Sequence, residues 1–164
     1  MILAIDPAPK SSAWVTYDGD LQRCGQTENI ELLNRIEWDL DDTFGKASHM
    51  VIEDIVSYGR PIGQTTLETK EWVGIYRHAF GLDRAFKMPR VAVKTHLCHN
   101  GNAKDSWITQ ALKDRWIERT GIEKPWLKSG PLYPVRQAGG KHVWQALGLA
   151  VTWWEIHREE IQGS

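Results

Sequence analysis

Two acidic residues stand at the ends of short apolar runs, where a buried strand does not normally end in a carboxylate. Asp6 follows the apolar residues 2–5 and precedes Pro7, and Glu53 follows the apolar residues 50–52. Two core strands that each carry an acid at the carboxyl end predict a paired-carboxylate site of the kind that holds a divalent metal ion. The alternative is that Asp6 caps a turn before Pro7 and that Glu53 is merely solvated.

The elements that must position these acids follow from hydrophobic periodicity. Strands are predicted at residues 2–6, 13–17, 21–26, 49–53 and 91–93, and helices at residues 29–40, 64–80, 103–119 and 141–161. Residues 121–140, with four glycines and three prolines, should be mostly irregular. This order indicates one α/β domain over residues 1–164, with a mixed five-stranded sheet flanked by helices. In such sheets, binding sites form at the carboxyl ends of strands, where Asp6 and Glu53 both lie.

The composition favours a reducing cytoplasm as the setting of the chain. Its 164 residues suffice to bury a core, and its two cysteines make no disulfide framework. No secretory signal is recognised before the first predicted strand, and no apolar run is long enough to cross a membrane. Of the nine tryptophans, five in predicted helical segments are expected in the core: Trp107, Trp116, Trp144, Trp153 and Trp154.

The formal net charge of −1 conceals a strong asymmetry along the chain. Residues 1–83 contain seven Lys and Arg against fourteen Asp and Glu, whereas residues 84–141 contain twelve against four. An acidic half that carries the candidate metal ligands, beside a basic half, suits a polyanionic substrate held over a cation. The alternative is that the segregation disappears when the two halves interleave in the folded chain.

An ordered set of segments resembles the RuvC family of Holliday-junction resolvases, which has the ribonuclease H-like fold. The matching segments are Ile-Asp-Pro at 5–7, Val-Ile-Glu at 51–53, Val-Lys at 93–94 with Gly-Asn-Ala-Lys-Asp at 101–105, and residues 142–150. They span almost the whole chain and are most similar to the short RuvC-like proteins of bacteriophages. The resemblance implies a homodimeric endonuclease that uses Mg²⁺, or Mn²⁺, to nick four-way or other branched DNA in the host cytoplasm.

The resemblance also implies roles for particular residues. Asp6 would bridge two metal ions, Glu53 would bind one of them, and His142 would occupy a position where the family uses aspartate or histidine. The family commonly has a further aspartate one helical turn later, where this chain has Gln145. Glutamine can coordinate through its amide oxygen but supplies no charge, so weaker binding of one metal is expected. Ala8 stands where the family usually has glycine.

The chemistry expected of this set is phosphodiester hydrolysis. Two divalent ions about 3.5–4 Å apart would provide a hydroxide and stabilise the leaving 3′ oxygen, so that the product carries a 5′ phosphate. Asp6 with His142 or Gln145 would hold the first ion, and Asp6 with Glu53 the second. Lys104 is the catalytic candidate for offsetting charge on the scissile phosphate, and Lys94 is the alternative. His142 taken alone would more simply be a structural histidine.

Candidate DNA-binding residues lie in loops and in the basic half of the chain. They are Tyr58, Arg60, Lys94, Lys104 and Lys141. In the family, the region that contains Tyr58 and Arg60 reaches into the junction centre, where an aromatic ring can stack on an unpaired base. The alternative is a surface turn with an incidental tyrosine.

The predicted helix at residues 64–80 resembles the one through which RuvC-like subunits pair. It carries Leu67, Val73, Gly74 and Tyr76. A glycine inside a helix costs about 1 kcal/mol relative to alanine, so Gly74 should have a packing reason. Pairing of two copies about a twofold axis is one reason, and close packing of the helix on its own sheet is the other.

Several functions remain open from the sequence. The leading hypothesis is a metal-dependent nuclease for branched DNA. Gln145 favours a different class, a junction-binding protein with weak or no cleavage. A ribonuclease is also compatible, because no reader of the 2′-hydroxyl is recognisable. An actin-like or sugar-kinase ATPase is excluded by length, since those folds need two such domains.

Overall fold

The computed structural model describes residues 1–38 and 42–163, which form a mixed sheet covered by helices. The strands are β1 (Ile2–Asp6), β2 (Ser11–Tyr17), β3 (Leu21–Glu28), β4 (His49–Asp54) and β5 (Ala85–Pro89). The helices are α1 (Asn29–Trp38), α2 (Gln64–Phe80), α3 (Arg90–Cys98), α4 (Asp105–Thr120), α5 (Tyr133–Gln137) and α6 (Lys141–Gln162). The strand order is β3-β2-β1-β4-β5, which confirms the predicted mixed five-stranded α/β sheet.

The central strand β1 sets the geometry of the candidate acids. It pairs antiparallel with β2 and parallel with β4, and β4 pairs parallel with β5. The β1–β4 register places Ile5 beside Ile52, so the next residue of each strand is an acid, Asp6 or Glu53. Parallel neighbours end at the same edge of a sheet, and the two acids therefore meet there.

Alternate side chains of β1 supply two separate cores, one on each face of the sheet. Ile2 and Ala4 pack in the core formed with α3, α4 and α6. Leu3 and Ile5 pack in the core formed with α1 and α2. No helix within the described ranges combines the length and the apolar character that crossing a bilayer requires.

Four of the five tryptophans expected in the core are buried as predicted, but Trp107 is not. Trp116, Trp144, Trp153 and Trp154 belong to the core, whereas Trp107 is 49% exposed. The inward stripe of α4 contains Ile108, Leu112 and Trp116 at intervals of four residues. Trp107 precedes that stripe by one residue, which rotates its side chain by about 100° toward solvent.

The predicted strand at residues 91–93 is wrong, because these residues lie in α3. The fifth strand is instead Ala85–Pro89, which pairs with β4. Pro89 lacks an N–H group and ends the strand, and its φ of −72° suits the residue that precedes a helix. Val93 and Leu97, four residues apart, are the buried positions of α3. A short Val-Ala-Val run carries too little periodicity to separate these two structures.

The remaining boundaries agree with prediction to within a few residues. The predicted helix at 29–40 corresponds to α1, and its residues 39–40 lie outside the described residues. The predicted helix at 103–119 begins two residues later, at Asp105. The segment at 121–140 is irregular except for the short helix α5.

Candidate active site

Asp6 and Glu53 form a buried pair at the edge where β1 and β4 end. Asp6 is only 4% exposed, and its carboxyl group lies beside that of Glu53, with Arg90 in contact with both. Burial and the negative charge of Asp6 raise the pKa of Glu53 to about 8, although Arg90 opposes them. Of the two acids, Glu53 is therefore the one that retains a proton more readily, because its pKa is raised and that of Asp6 is lowered.

His142, in the first turn of α6, is the third side chain of the site. Its Nδ1 lies 3.0 Å from Asp6 Oδ2 and donates a hydrogen bond to that oxygen. This hydrogen bond raises the pKa of His142, and burial opposes the increase. Burial also raises the pKa of Asp6, but the hydrogen bond with His142 and the charge of Arg90 outweigh it and lower that pKa. The ionised carboxylate of the site is thus Asp6.

Arg90 is a member of the site that the sequence analysis missed. Its Nη2 lies 2.6 Å from Glu53 Oε2 and 3.3 Å from Asp6 Oδ1, and its Nη1 lies 3.0 Å from Asp105 Oδ2. Arg90 is the first residue of α3, directly after Pro89, so the incorrect strand at residues 91–93 concealed its position. The available signal was Pro89 followed by apolar residues at helical spacing.

Asp105 and Gln145 extend the site toward the start of α4. Asp105 belonged to a segment of the family resemblance but was assigned no role. Its carboxylate accepts a hydrogen bond from Arg90 and lies 3.5 Å from Lys94 Nζ. Gln145 is buried one turn after His142, and its Nε2 donates to the backbone oxygen of Asp105 over 3.3 Å. Gln145 therefore ties α6 to α4 through its amide nitrogen, and its role as a metal ligand stays a prediction.

The DNA-binding candidates fall into two groups. Tyr58 and Lys94 line a cleft of about 430 Å³ beside Glu53 and Arg90. The other three, Arg60, Lys104 and Lys141, are exposed and do not line this cleft. Tyr58 is 69% exposed and has a positive φ of 49°, which costs a non-glycine residue about 1–3 kcal/mol. Asp54, which the sequence analysis left without a catalytic role, lies 3.8 Å from Lys87 Nζ on β5.

The donor types suit a hard divalent cation, but the present arrangement is closed. The two carboxylates match the oxygen ligands that Mg²⁺ and Mn²⁺ prefer, whereas the imidazole is a ligand more typical of softer divalent metals. Across residues 1–38 and 42–163, no three His, Cys, Asp or Glu side chains are grouped so that they could hold an ion. Arg90 contacts both acids, and His142 is hydrogen-bonded to Asp6. Entry of an ion therefore requires Arg90 to leave the two acids.

Comparisons with known proteins identify the architecture. No protein-family model matches the chain, and no curated protein matches it. Among solved structures, Thermus thermophilus RuvC matches over 97% of this chain and 95% of that chain, with a TM-score of 0.61 and 16% identity. T. thermophilus RuvC in complex with Holliday junction substrate matches over 92% of this chain and 90% of that chain, with a TM-score of 0.54 and 14% identity. Identity at this level establishes the architecture alone, and the chain therefore has the RuvC-like, ribonuclease H-like fold predicted from its sequence.

Proposed function

We propose that this chain is a divalent-metal-dependent endonuclease that nicks four-way or other branched DNA. The observation that carries the proposal is the buried pair of Asp6 and Glu53, which meets His142 at the edge of the sheet. A buried acid pair is costly to fold and is retained where cation chemistry uses it. The RuvC-like fold supports this substrate class, because one RuvC structure of that fold is a complex with a Holliday junction.

Each residue of the candidate site has a distinct role in this proposal. Asp6, Glu53 and His142 would hold Mg²⁺ or Mn²⁺, which supplies an activated water and stabilises the leaving 3′ oxygen when bound. Asp6 is the shared ligand because it contacts both of the others. Glu53 must release its proton first, since metal ligands act in their deprotonated form. Arg90 must leave the acids, and its guanidinium then remains within reach of a phosphate, which it can bind through two nitrogens.

The substrate would enter along the cleft beside Glu53. Lys94 lines that cleft and can bind a phosphate once it leaves Asp105. Tyr58 would stack on an unpaired base, and its strained, exposed position supports that role over an incidental turn. Arg60, Lys104 and Lys141 would contact the phosphates of the arms, where they reduce the charge repulsion between strands.

Helix α2 is the proposed pairing surface of a homodimer. Val73 and Tyr76 are buried in the core of their own subunit, whereas Leu67 is 46% and Ile75 40% exposed. Apart from the backbone of its own helix and its chain neighbours, no heavy atom lies within 4 Å of the position that a Cβ of Gly74 would occupy, so packing on its own sheet does not explain this glycine. A second copy packed on this face would bury the exposed apolar side chains, and it could approach closely at Gly74 because no Cβ is present there. Cytoplasmic location and phage origin remain predictions from the sequence.

A second candidate function is junction binding with little or no cleavage. Two observations favour it: Arg90 already compensates the acid pair, and Gln145 stands where a further carboxylate would strengthen metal binding. A protein of this kind would hold branched DNA through the same basic residues and leave the phosphodiester intact. The two candidates differ in cleavage and in metal binding, and both can be measured.

A nicking assay separates these functions. The full chain and Asp6→Asn would be incubated with a labelled synthetic four-way junction or a linear duplex of equal length, in Mg²⁺, Mn²⁺ or EDTA. Metal-dependent nicks confined to the junction, and reduced at least about 100-fold in Asp6→Asn, are the expected result. Tight junction binding without nicks in either metal would replace the nuclease proposal with the binding one. Asp6→Asn that cuts as fast as the original chain would exclude Asp6 as the central ligand.

A further inference from the structure

A second cavity of about 490 Å³ lies between α4, the segment before α6 and the start of α6. We name it the basic pocket, and its lining residues are Lys113, Lys124, Trp126, Leu127, Arg136 and Trp144. None of these residues lines the cleft beside Glu53. The wall contains three cations, two indoles and one leucine, and it contains no carboxylate.

The three cations of the basic pocket lack acidic partners. Within the part of the chain that the structure describes, Lys113, Lys124 and Arg136 make no ion pair, whereas Arg90, Lys94, Arg115 and Arg119 each do. Cations that converge without a counter-charge attract an anion, and the missing partner is therefore expected in a ligand.

The indoles give the basic pocket a second kind of contact. The ammonium of Lys113 lies 4.5 Å from the ring centre of Trp126 and 5.6 Å from that of Trp144. These cation–π contacts hold Lys113 against the wall and fix the orientation of the rings. Trp144 is buried, whereas Trp126 is only partly covered by its neighbours. A partly covered indole beside unpaired cations is the combination that binds the base and the phosphate of a nucleotide.

The basic pocket lies close to the acid pair along α6. Trp144 follows His142 by two residues, which is about 3 Å along the helix axis and about 200° around it. The pocket therefore lies on the side of the first turn of α6 that faces away from Asp6. Lys141, the exposed first residue of α6, lies at the edge between them. A strand that continues from the acid pair across the beginning of α6 would therefore meet the pocket.

We propose that the basic pocket binds an unpaired nucleotide of a DNA strand that continues from the acid pair. The substrate class rests on the proposed function, but binding in the pocket requires no metal and no cleavage. The volume of about 490 Å³ falls within the range of about 300–1,000 Å³ of small-ligand sites, which suits a single unstacked nucleotide. Lys124 and Arg136 contact phosphates, and the ring of Trp126 stacks on the base. This site would favour substrates with unpaired nucleotides near the nick.

The test compares two charge reversals in the same surface segment. Lys124→Glu removes a pocket cation, whereas Lys128→Glu makes an identical change of charge four residues away, outside the pocket. Binding of the full chain to a labelled decathymidylate would be measured in EDTA by fluorescence anisotropy. Lys124→Glu should weaken binding about tenfold or more, and Lys128→Glu less than about twofold. Lys124→Ala should also reduce the slope of log affinity against log salt by about 0.7.

The aromatic contact has its own measurement. Trp126→Ala should weaken decathymidylate binding about 5- to 150-fold, the range for the loss of one base stack, whereas Trp126→Phe should retain most of it. Thermal melting of both variants checks that the fold is intact. The proposed nucleotide site would be wrong if Lys124→Glu and Lys128→Glu weakened decathymidylate binding equally. It would also be wrong if a folded Trp126→Ala variant bound decathymidylate as tightly as the original chain. If thymidine monophosphate displaces decathymidylate at equal concentration, the pocket binds a single mononucleotide, and the proposed binding of a continuing strand is wrong.

The result of the decathymidylate test can be distinguished from the result of the nicking assay. A chain that cuts no junction but loses decathymidylate binding through Lys124→Glu would retain the pocket and lose the nuclease proposal. A chain that nicks junctions while its pocket variants bind normally would retain the nuclease and lose the pocket.

Discussion

The guanidinium of Arg90 lies 2.6 Å from the carboxyl group of Glu53, although the two residues are 37 positions apart. The same nitrogen lies 3.3 Å from Asp6, so one cation serves both acids. Two neighbouring buried carboxyl groups are costly unless a cation or a proton compensates them. In this arrangement Arg90 supplies the cation and Glu53 retains the proton. In the proposed function a divalent ion would have to replace both, so Arg90 and pH would be the two controls of metal affinity.

Arg90→Ala is expected to destabilise the protein in EDTA by about 1–3 kcal/mol, because it leaves the acid pair without its cation. Urea unfolding at neutral pH measures the change in the free energy of unfolding. Arg60→Ala, in the exposed loop after β4, is the matched control and should change that free energy by less than about 0.5 kcal/mol. Mn²⁺ should raise the melting temperature of Arg90→Ala more than that of the original chain. Equal stability of the two arginine variants would refute the role of Arg90.

The raised pKa of Glu53 predicts that stability in EDTA falls as the pH rises. Its ordinary value is 4.5 and its value in the folded chain is about 8, so the native state holds a proton that the unfolded state releases within that window. The stabilising contribution is complete below pH 4.5 and is lost as the pH passes through about 8. The raised pKa of His142 acts in the same direction above its ordinary value of 6.5.

Glu53→Gln isolates the contribution of Glu53, because glutamine resembles the protonated acid. In EDTA this variant should be more stable than the original chain at pH 8, and the difference should shrink toward pH 5. Urea unfolding across this range provides the measurement. A difference between the two chains that does not vary with pH would show that Glu53 does not titrate in this window.

Gln145→Asp is expected to strengthen metal binding about tenfold, because it adds a carboxylate one turn from His142. Gln145→Asn is the matched control, since asparagine has the size of aspartate without its charge. Binding of Mn²⁺ followed by electron paramagnetic resonance gives the affinity directly, and the nicking rate should rise in parallel. Equal Mn²⁺ affinities in the two variants would mean that this position does not face the metal.

Ile75→Asp is expected to convert a homodimer into monomers, because it places a charge on the proposed pairing face of α2. Ile156→Asp, on another helix, is the control, since both isoleucines are exposed. Analytical ultracentrifugation reports the oligomeric state of each variant. If the original chain sediments as a monomer at micromolar concentration, or if both variants remain dimers, the pairing face on α2 is wrong.

The correct part of the sequence analysis came from patterns that are local. The apolar runs before Asp6 and Glu53 predicted β1 and β4, because an uninterrupted apolar strand must be buried on both faces. The long helices α2 and α6 were likewise predicted from their periodicity. The three-residue run at 91–93 was assigned wrongly because Pro89, which precedes it, decides between strand and helix.

The sequence by itself determined that two acids would end core strands and that the basic residues would follow them along the chain. Tertiary structure alone decided that Arg90 neutralises the acids, that the amide nitrogen of Gln145 faces Asp105, and that Lys113 lies over Trp126. The burial of a strand can be predicted from residues that are adjacent in the sequence, whereas the contact between Arg90 and Asp6 joins residues that are 84 positions apart. Contacts of that kind depend on the packing of α3, α4 and α6 against the sheet, and no periodicity in the sequence encodes them.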